Sequence, residues 1–436
     1  MSRFLIALAA GGGNIPPTLS VARALLDREH DVRVITDPVL EPEVRAAGAE
    51  FVSWSTAPHR FDLDPSSDLA RDWEARTPMG SLARSRDGYF CGPARAFADD
   101  VRAELERCPA DAVAGEMLTF GTMIGARGAG VPCAILASTM IAHRGWGAPP
   151  FGPGVAPARN RAGRLRDRLI YAMSDRMWNK GLPAVNDARR AHGLAPLRHS
   201  LDQMTDCDRL LLLSTRALAY PGFDPPKHVQ ITGARLEDPQ WAERVVLPPG
   251  DEPLVLVGLS STFMDQSAAI GRIAQALGTL PVRGLITTGP AIDPQAIPAP
   301  ANVQVVRSAP HSEILPHAAA MVTHAGHGSV VKALAAGVPM VMMPFGRDQV
   351  EIAARAAYAG TGVRIRPGAG PARIARAVRE VLGDSAYLEA AAGAARTIAT
   401  EQRGDAAADA LEDLAGASRV GAALPGAGAA AAGRTS

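Results

Sequence analysis

Two histidines, a serine and a set of glycines fall within one short stretch of this chain, MVTHAGHGSVVKALAAGVPMVMMPFGRDQ, residues 321–349. An apolar run stops at His324, a glycine-rich turn follows over Ala325–Gly328, and Ser329 opens a helical pattern reaching about Ala336. A strand that turns tightly into a helix leaves backbone N–H groups unpaired at the positive end of the helix dipole. Such a place favours an anion, most naturally a phosphate. His324, His327 and Ser329 flank the turn and are all able to donate hydrogen bonds to phosphate oxygens. A second apolar run, Met340–Met343, then ends in Pro344-Phe345-Gly346-Arg347-Asp348-Gln349. An acid and an amide at a strand's far end suit the vicinal hydroxyls of a sugar.

His-x-Gly-x-Gly-Ser, then Gly-Val-Pro, then Asp-Gln resembles the donor-binding signature of family-one glycosyltransferases, in the bacterial branch that decorates natural products. The resemblance covers nearly the whole chain, leaving out the tail from about Gly416. It implies an α/β architecture of the GT-B kind, two Rossmann-like domains whose parallel sheets face each other across a cleft. The second half would hold a nucleotide diphosphate sugar as co-substrate and the first half the acceptor. His324 would touch the diphosphate, the amides of Gly326 to Gly328 and the hydroxyl of Ser329 would hold the second phosphate, and Asp348 and Gln349 the sugar. The nucleobase would lie against Arg307-Ser308-Ala309. Ser261 and Thr262 either reach the diphosphate or cap the helix that starts near Gln266. The reaction implied is an inverting displacement. A DxD pair for a divalent ion is absent from the donor region, so neither metal nor cofactor is expected, and the helix N-terminus with His324 and Ser329 can stabilise the departing diphosphate.

The elements that must position these groups repeat a strand–helix pattern twice. Phe4–Ala9 is a continuous apolar run fit for a buried parallel strand, and Gly11-Gly12-Gly13-Asn14 follows it. Pro16 and Pro17 sit in the first turn of a helix, and Asp31–Ile35 is the next strand, ending at Thr36-Asp37. Glycines after one strand and an acid after the next also raise nicotinamide dinucleotide binding, but Gly11-x-Gly13-x-x-Pro16 lacks the third glycine that close helix packing requires. In the glycosyltransferase reading this loop, with Gly13 and Asn14, lies near the acceptor. The irregular stretch Ser53–Phe97 carries Trp73 and Phe90, and the Gly/Pro-rich stretch Ser138–Gly154 carries His143 and Trp146; these aromatics and His143 are candidates to wall an acceptor pocket. Asp111–Glu116 reads as a strand ending in an acid. Arg164–Ala191 is a basic helical segment with Leu165, Leu169, Met173 and Met177 along one face, read as a solvated charged face and not a membrane helix. Arg209–Leu213 is expected to close the first sheet.

Two departures from the family pattern carry information. Many relatives place a catalytic histidine in the first loop, where this chain has Asn14, and an amide cannot accept a proton at useful pH. The catalytic candidates are therefore Asn14 to orient the acceptor and Glu116 or His143 as base, with Glu116 preferred. Lys332 stands where relatives carry a glutamate for the ribose hydroxyls, which points to a dTDP-sugar over a UDP-sugar. A nucleotide-sugar hydrolase or epimerase, or a non-catalytic glycosyltransferase-like partner, are the competing functions.

Composition sets the outer bounds. A chain of 436 residues with 47% hydrophobic and 20% charged residues fits two globular domains. The boundaries expected are 1–217 for the acceptor domain, 218–252 for a Pro/Gly-rich linker, 253–390 for the donor domain, 391–415 for a helix returning to the first domain, and 416–436 for a disordered tail. Lys+Arg 45 against Asp+Glu 44 gives a formal charge of +1, with no footprint for nucleic acid or an anionic membrane. Cys91, Cys108, Cys133 and Cys207 form no CxxC pair, so they read as reduced structural thiols. No signal peptide or membrane span is read, so the expectation is a cytoplasmic enzyme whose partners are the donor and a small hydrophobic acceptor, with a homodimer left open.

Overall fold

Strands covered on both faces are written as unbroken apolar runs, and in this chain they become two all-parallel sheets. The computed structural model describes residues 1–260, 262–264 and 266–422. The strands are β1 (Arg3–Ala7), β2 (Asp31–Thr36), β3 (Glu50–Ser53), β4 (Ala112–Glu116), β5 (Cys133–Ala137), β6 (Arg209–Leu212) and β7 (Val229–Ile231), then β8 (Leu254–Gly258), β9 (Arg283–Thr287), β10 (Val303–Val306), β11 (Ala318–Thr323), β12 (Met340–Met342) and β13 (Gly362–Arg364). They form one sheet of seven strands, β3-β2-β1-β4-β5-β6-β7, and one of six, β10-β9-β8-β11-β12-β13. Every residue of β4, β5 and β8 is buried.

Each sheet reverses its winding once. In the first, Phe4 of β1 pairs with Val32 on one side and Ala112 on the other. In the second, β8 lies between β9 and β11, with Met321 opposite Leu256. Ligands in open parallel sheets bind beyond the carboxyl ends of the strands at such a reversal. Gly11–Asn14 follow β1 and Glu116 ends β4; Ser260 and Thr262 follow β8 and His324 follows β11. The chemically interesting residues thus cluster at the two switch points.

Three expectations about the chain's course are corrected. The stretch 218–252 is not all linker: β7 within it pairs with β6, Leu210 opposite Val229, so Arg209–Leu213 does not close the first sheet. The remaining linker divides between the domains. Arg235 holds Asp405 (2.8 Å) and Ser20 donates to Glu237 on the first-domain side, whereas Asp238 pairs with Lys332 (2.5 Å) and Arg244 with Glu313 (3.3 Å) on the second. The helix expected over 391–415 is two helices, Ser385–Glu401 and Ala406–Ala422. The second helix lies on the first sheet, burying Ala407, Ala408, Leu411, Leu414 and Ala415 with Phe4, Ile6 and Val32, each leucine contributing roughly 1.5–3 kcal/mol. Arg28 bonds Asp409 and Glu412 at 2.7 Å beside it. Its run to Ala422 passes Gly416, where a disordered tail was expected to begin; residues 423–436 of that tail lie outside the described residues.

Candidate active site

The turn after β11 is shaped by its own small residues. Ala325 adopts a left-handed backbone (φ 65°), a conformation that costs an L-residue roughly 1–2 kcal/mol. A Cβ on Gly326 would stand 2.3 Å from His324 Nε2, so only glycine lets the ring fold back over the turn. Thr323 Oγ1 accepts the Ala325 N–H at 3.2 Å and braces the entry. The helix His327–Ala335 makes its first backbone bond from the Val330 N–H to the Gly326 carbonyl (3.1 Å). The N–H groups of His327, Gly328 and Ser329 precede it, without intrahelical partners. Gly328 is exposed, with open space where a Cβ would be. Burial pushes His324 down to about 4, helped by the charge of Arg347 and opposed by the Gly258 backbone; the ring is neutral at pH 7 and acts as a hydrogen-bond partner, not a cation.

His327 behaves differently from the expectation. Its Nε2 lies 2.8 Å from Ser214 Oγ, across the domain boundary, and burial holds the ring neutral, near 4. Nε2 is thus taken, while its backbone N–H is available to an anion. Gln349 is likewise occupied: its Oε1 accepts the N–H groups of Phe345 (2.8 Å) and Gly346 (3.2 Å), and its Nε2 points at Met264 Sδ (3.2 Å). It shapes the loop before a sugar could meet it. Asp348 accepts a hydrogen bond from Thr139 of the first domain (2.7 Å), and burial raises its pKa.

Between these two residues and the acceptor domain stands a group that the sequence reading passed over. Arg347, in a left-handed conformation (φ 55°), makes a bidentate pair with Asp72 of the first domain (2.8 and 3.0 Å) and donates to Thr262 Oγ1 (3.0 Å). Beside it Trp73 meets Phe263 edge to face, ring centroids 5.6 Å apart. Trp73 is thus at the cleft. Thr262 faces the cleft too and does not cap the helix Ser267–Leu277, whose N-cap is Gln266; Ser261 lies outside the described residues. Nothing in the one-dimensional spacing marks Arg347, because its partner is far away in the chain.

At the nucleobase loop Ala309 is buried and Arg307 is exposed, donating to the Pro290 carbonyl (3.3 Å). Ser308 is tied to the linker, donating to the Trp241 carbonyl and accepting the Glu243 N–H, both at 3.2 Å. Lys332 is neutralised by Asp238, whose other oxygen accepts the hydroxyl (2.6 Å) and N–H (3.0 Å) of Ser312. No carboxylate is left free there.

On the acceptor side Gly13 is exposed and Asn14 is buried at the start of the helix Ile15–Leu26. The Asn14 amide donates to the Ala9 carbonyl (3.0 Å), and its Oδ1 is buried without a partner. Gly11 makes room, since a Cβ there would lie 2.9 Å from that oxygen. Glu116, 2% exposed, sits next to Asn14; burial raises its pKa to about 8 against the lowering hydrogen bonds from Leu118 and Asn14. A carboxyl that changes state near neutrality, beside an amide oxygen lacking a donor, is suited to orient an X–H group and take its proton.

The other acceptor candidates separate from this pair. Trp146 is 4% exposed and packs on Phe223. His143 leans on Trp146 and faces Asp202 at 3.4 Å. Phe90 is wedged between Phe120 and Trp178 in the core. For Trp146 and Phe90, side chains built to fill a core were misread as pocket walls. Asp37, the acid of the nicotinamide alternative, is consumed by the N–H groups of Ala10 (2.9 Å) and Arg60 (2.7 Å), so no acid there awaits a ribose.

Two Rossmann-like domains, one presenting a glycine-rich strand–helix turn and the other an acid–amide pair, make the arrangement of a GT-B fold. Residues 284–414 match the family described as erythromycin biosynthesis protein CIII-like, C-terminal domain. Over 398 residues the chain is 30% identical to 4'-demethylrebeccamycin synthase of Lentzea aerocolonigenes, covering 88% of this chain and 93% of that protein. Its fold is that of the calicheamicin glycosyltransferase CalG4 (TM-score 0.74, 24% identity, 95% and 98% of the two chains). It is also that of the glycosyltransferase VinC in complex with dTDP (TM-score 0.66, 18% identity, 96% and 100%). The chain belongs to the GT-B natural-product glycosyltransferases of bacteria and is an enzyme of the antibiotic-tailoring type. Among the described residues no helix is long and apolar enough to cross a membrane.

Proposed function

We propose that the enzyme transfers a sugar from a dTDP-sugar to a small hydrophobic natural-product acceptor, with inversion and without a metal ion. The observation that carries this reading is the open helix N-terminus at His327–Ser329, with neutral His324 folded over it, at the switch point of the second sheet. Asn14 orients the acceptor with its X–H turned towards Glu116, held for attack on the anomeric carbon. As the new bond forms, the carbon–oxygen bond to the diphosphate breaks and its electron pair leaves with the phosphate oxygen. The proton passes to ionised Glu116. The free N–H groups and His324 receive the charge that develops on the leaving group, and Asp348 takes a sugar hydroxyl. Gln349 holds the loop that presents Asp348.

The deoxyribose preference is supported by Lys332, whose pairing with Asp238 leaves no carboxylate for a 2'-hydroxyl, and by the fact that VinC holds dTDP in the same fold. Incubation with dTDP- and UDP-sugars, with and without polyphenol or polyketide acceptors, tests the proposal. Transfer that requires the acceptor and favours dTDP is expected; acceptor-independent release of sugar would assign hydrolysis, and silence with every pair would favour a non-catalytic partner.

A further inference from the structure

The helix Arg161–Trp178 leaves its apolar stripe uncovered. Leu165, Leu169 and Met173 are 57%, 61% and 60% exposed, and of the stripe only Met177, at 6%, is anchored. The underside is well fastened: Asn160 caps the Gly163 N–H (2.9 Å), the Arg144 guanidinium lies over the Tyr171 ring (4.8 Å), and Trp178 packs on Phe90 (5.3 Å). The helix is therefore a fixed part of the acceptor domain with one face turned outward.

That outward face is chemically one-sided. Its exposed positions recur every three or four residues and form two adjacent rows, Leu165, Leu169 and Met173 beside Arg161, Arg164, Arg168 and Arg176. Among the described residues none of these four arginines takes part in an ion pair. Both acids of the helix are half-buried and already matched, Asp167 by Arg166 and Asp175 by Arg144. The face offers apolar groups and unpaired positive ones, its acids being already matched, a segregation that the chain's overall charge of +1 conceals. Met79, 43% exposed on the adjoining helix Pro78–Ser85, and Phe61, 73% exposed on the loop before it, add apolar groups to the same domain.

We propose that this face docks the enzyme on a bilayer containing anionic lipid, the leucines and Met173 entering the acyl boundary while the arginines meet headgroup phosphates. Charge complementarity decides the occupant. A second copy of the chain would set unpaired arginines against unpaired arginines. A protein partner is met by aromatic anchors and pockets, whereas the exposed apolar row of this helix is two leucines and a methionine. Docking here places the acceptor domain beside the phase into which a hydrophobic acceptor partitions. The proposal is independent of the donor and catalytic assignments.

The test is co-sedimentation of the full chain with vesicles of phosphatidylcholine, alone or mixed with phosphatidylglycerol, using wild type, Leu169→Gln/Met173→Gln and Arg164→Glu/Arg168→Glu. Thermal melting and transfer to a water-soluble acceptor verify that the variants are folded, since none of these residues belongs to the active site. Wild type should bind the mixed vesicles, release as salt is raised, and bind neutral vesicles weakly; the arginine reversal should weaken binding roughly tenfold or more, and the glutamine pair should weaken it too. Binding that ignores lipid charge, no binding, or unaltered binding by the variants overturns the proposal. So does a dimer that the same substitutions dissociate, or arginine-dependent capture on polyglutamate without capture on vesicles, which would assign the face to a second copy or to an acidic protein.

Discussion

Replacing Glu116 by glutamine should separate chemistry from binding and, at the same time, stabilise the fold. The carboxyl is 2% exposed and its pKa is raised to about 8 from an ordinary 4.5, with burial the main cause. At pH 7 about a tenth of the enzyme then carries the ionised base, and acceptor kcat/KM should climb about tenfold per pH unit until it levels near pH 8. Glu116→Gln should cut kcat by about 10²–10⁴-fold with the donor Kd unchanged, and should abolish that climb. The stability effect has the opposite sign. Between the two pKa values the folded protein holds a proton that the unfolded chain has released, so wild type loses stability as pH rises from about 4.5 towards 8. The full gap corresponds to at most roughly 5 kcal/mol. Glutamine is free of this loss, so the variant should melt above wild type at pH 8 and the advantage should shrink towards pH 5. Steady-state kinetics across pH, paired with melting curves, read both effects; near-wild-type turnover of the variant, or a level wild-type profile through pH 8, would refute the assignment of Glu116 as base.

Gly326→Ala should abolish the thermal shift given by dTDP, since the added methyl meets His324 at 2.3 Å; an undiminished shift would show that the turn does not hold the diphosphate. For Arg347 and Asp72, a double-mutant cycle with Arg347→Met and Asp72→Asn should show a coupling of about 1–3 kcal/mol in melting experiments, because the pair is bidentate and mostly buried. An acceptor KM that rises in both single variants should accompany it. Exchanging Lys332→Glu with Asp238→Lys keeps the ion pair and brings a carboxylate to the helix side; the ratio of UDP- to dTDP-sugar turnover should rise about tenfold if that position reads the ribose.

The strand–turn–helix junction at His324–Ser329 could be read from the sequence because its determinants are local: His324, Gly326, Gly328 and Ser329 lie within a few residues. Glu116 was accessible for a related reason, as the acid that ends a buried strand. What escaped was whatever depends on contacts between distant segments. Gln349 and His327 look available for a ligand until the loop at 345–346 and Ser214 arrive to occupy them. Arg347 gains its role only from Asp72. Trp146 and Phe90 illustrate a different failure, since an aromatic side chain in an irregular stretch carries no mark of which way it faces. The short strand Val229–Ile231 was hidden because three residues among prolines and glycines give no periodicity to read.

The division of the linker constrains how the two lobes can swing apart. Arg235 and Glu237 are tied to the first lobe and Asp238 to the second, so the outgoing chain changes lobe close to residues 237–238. The returning chain crosses at residues 402–405, where Gln402 holds the Ala234 carbonyl and Asp405 holds Arg235. Both crossings therefore lie side by side, and a swivel about them that widens the cleft has to release the Arg347–Asp72, Thr139–Asp348 and Ser214–His327 contacts.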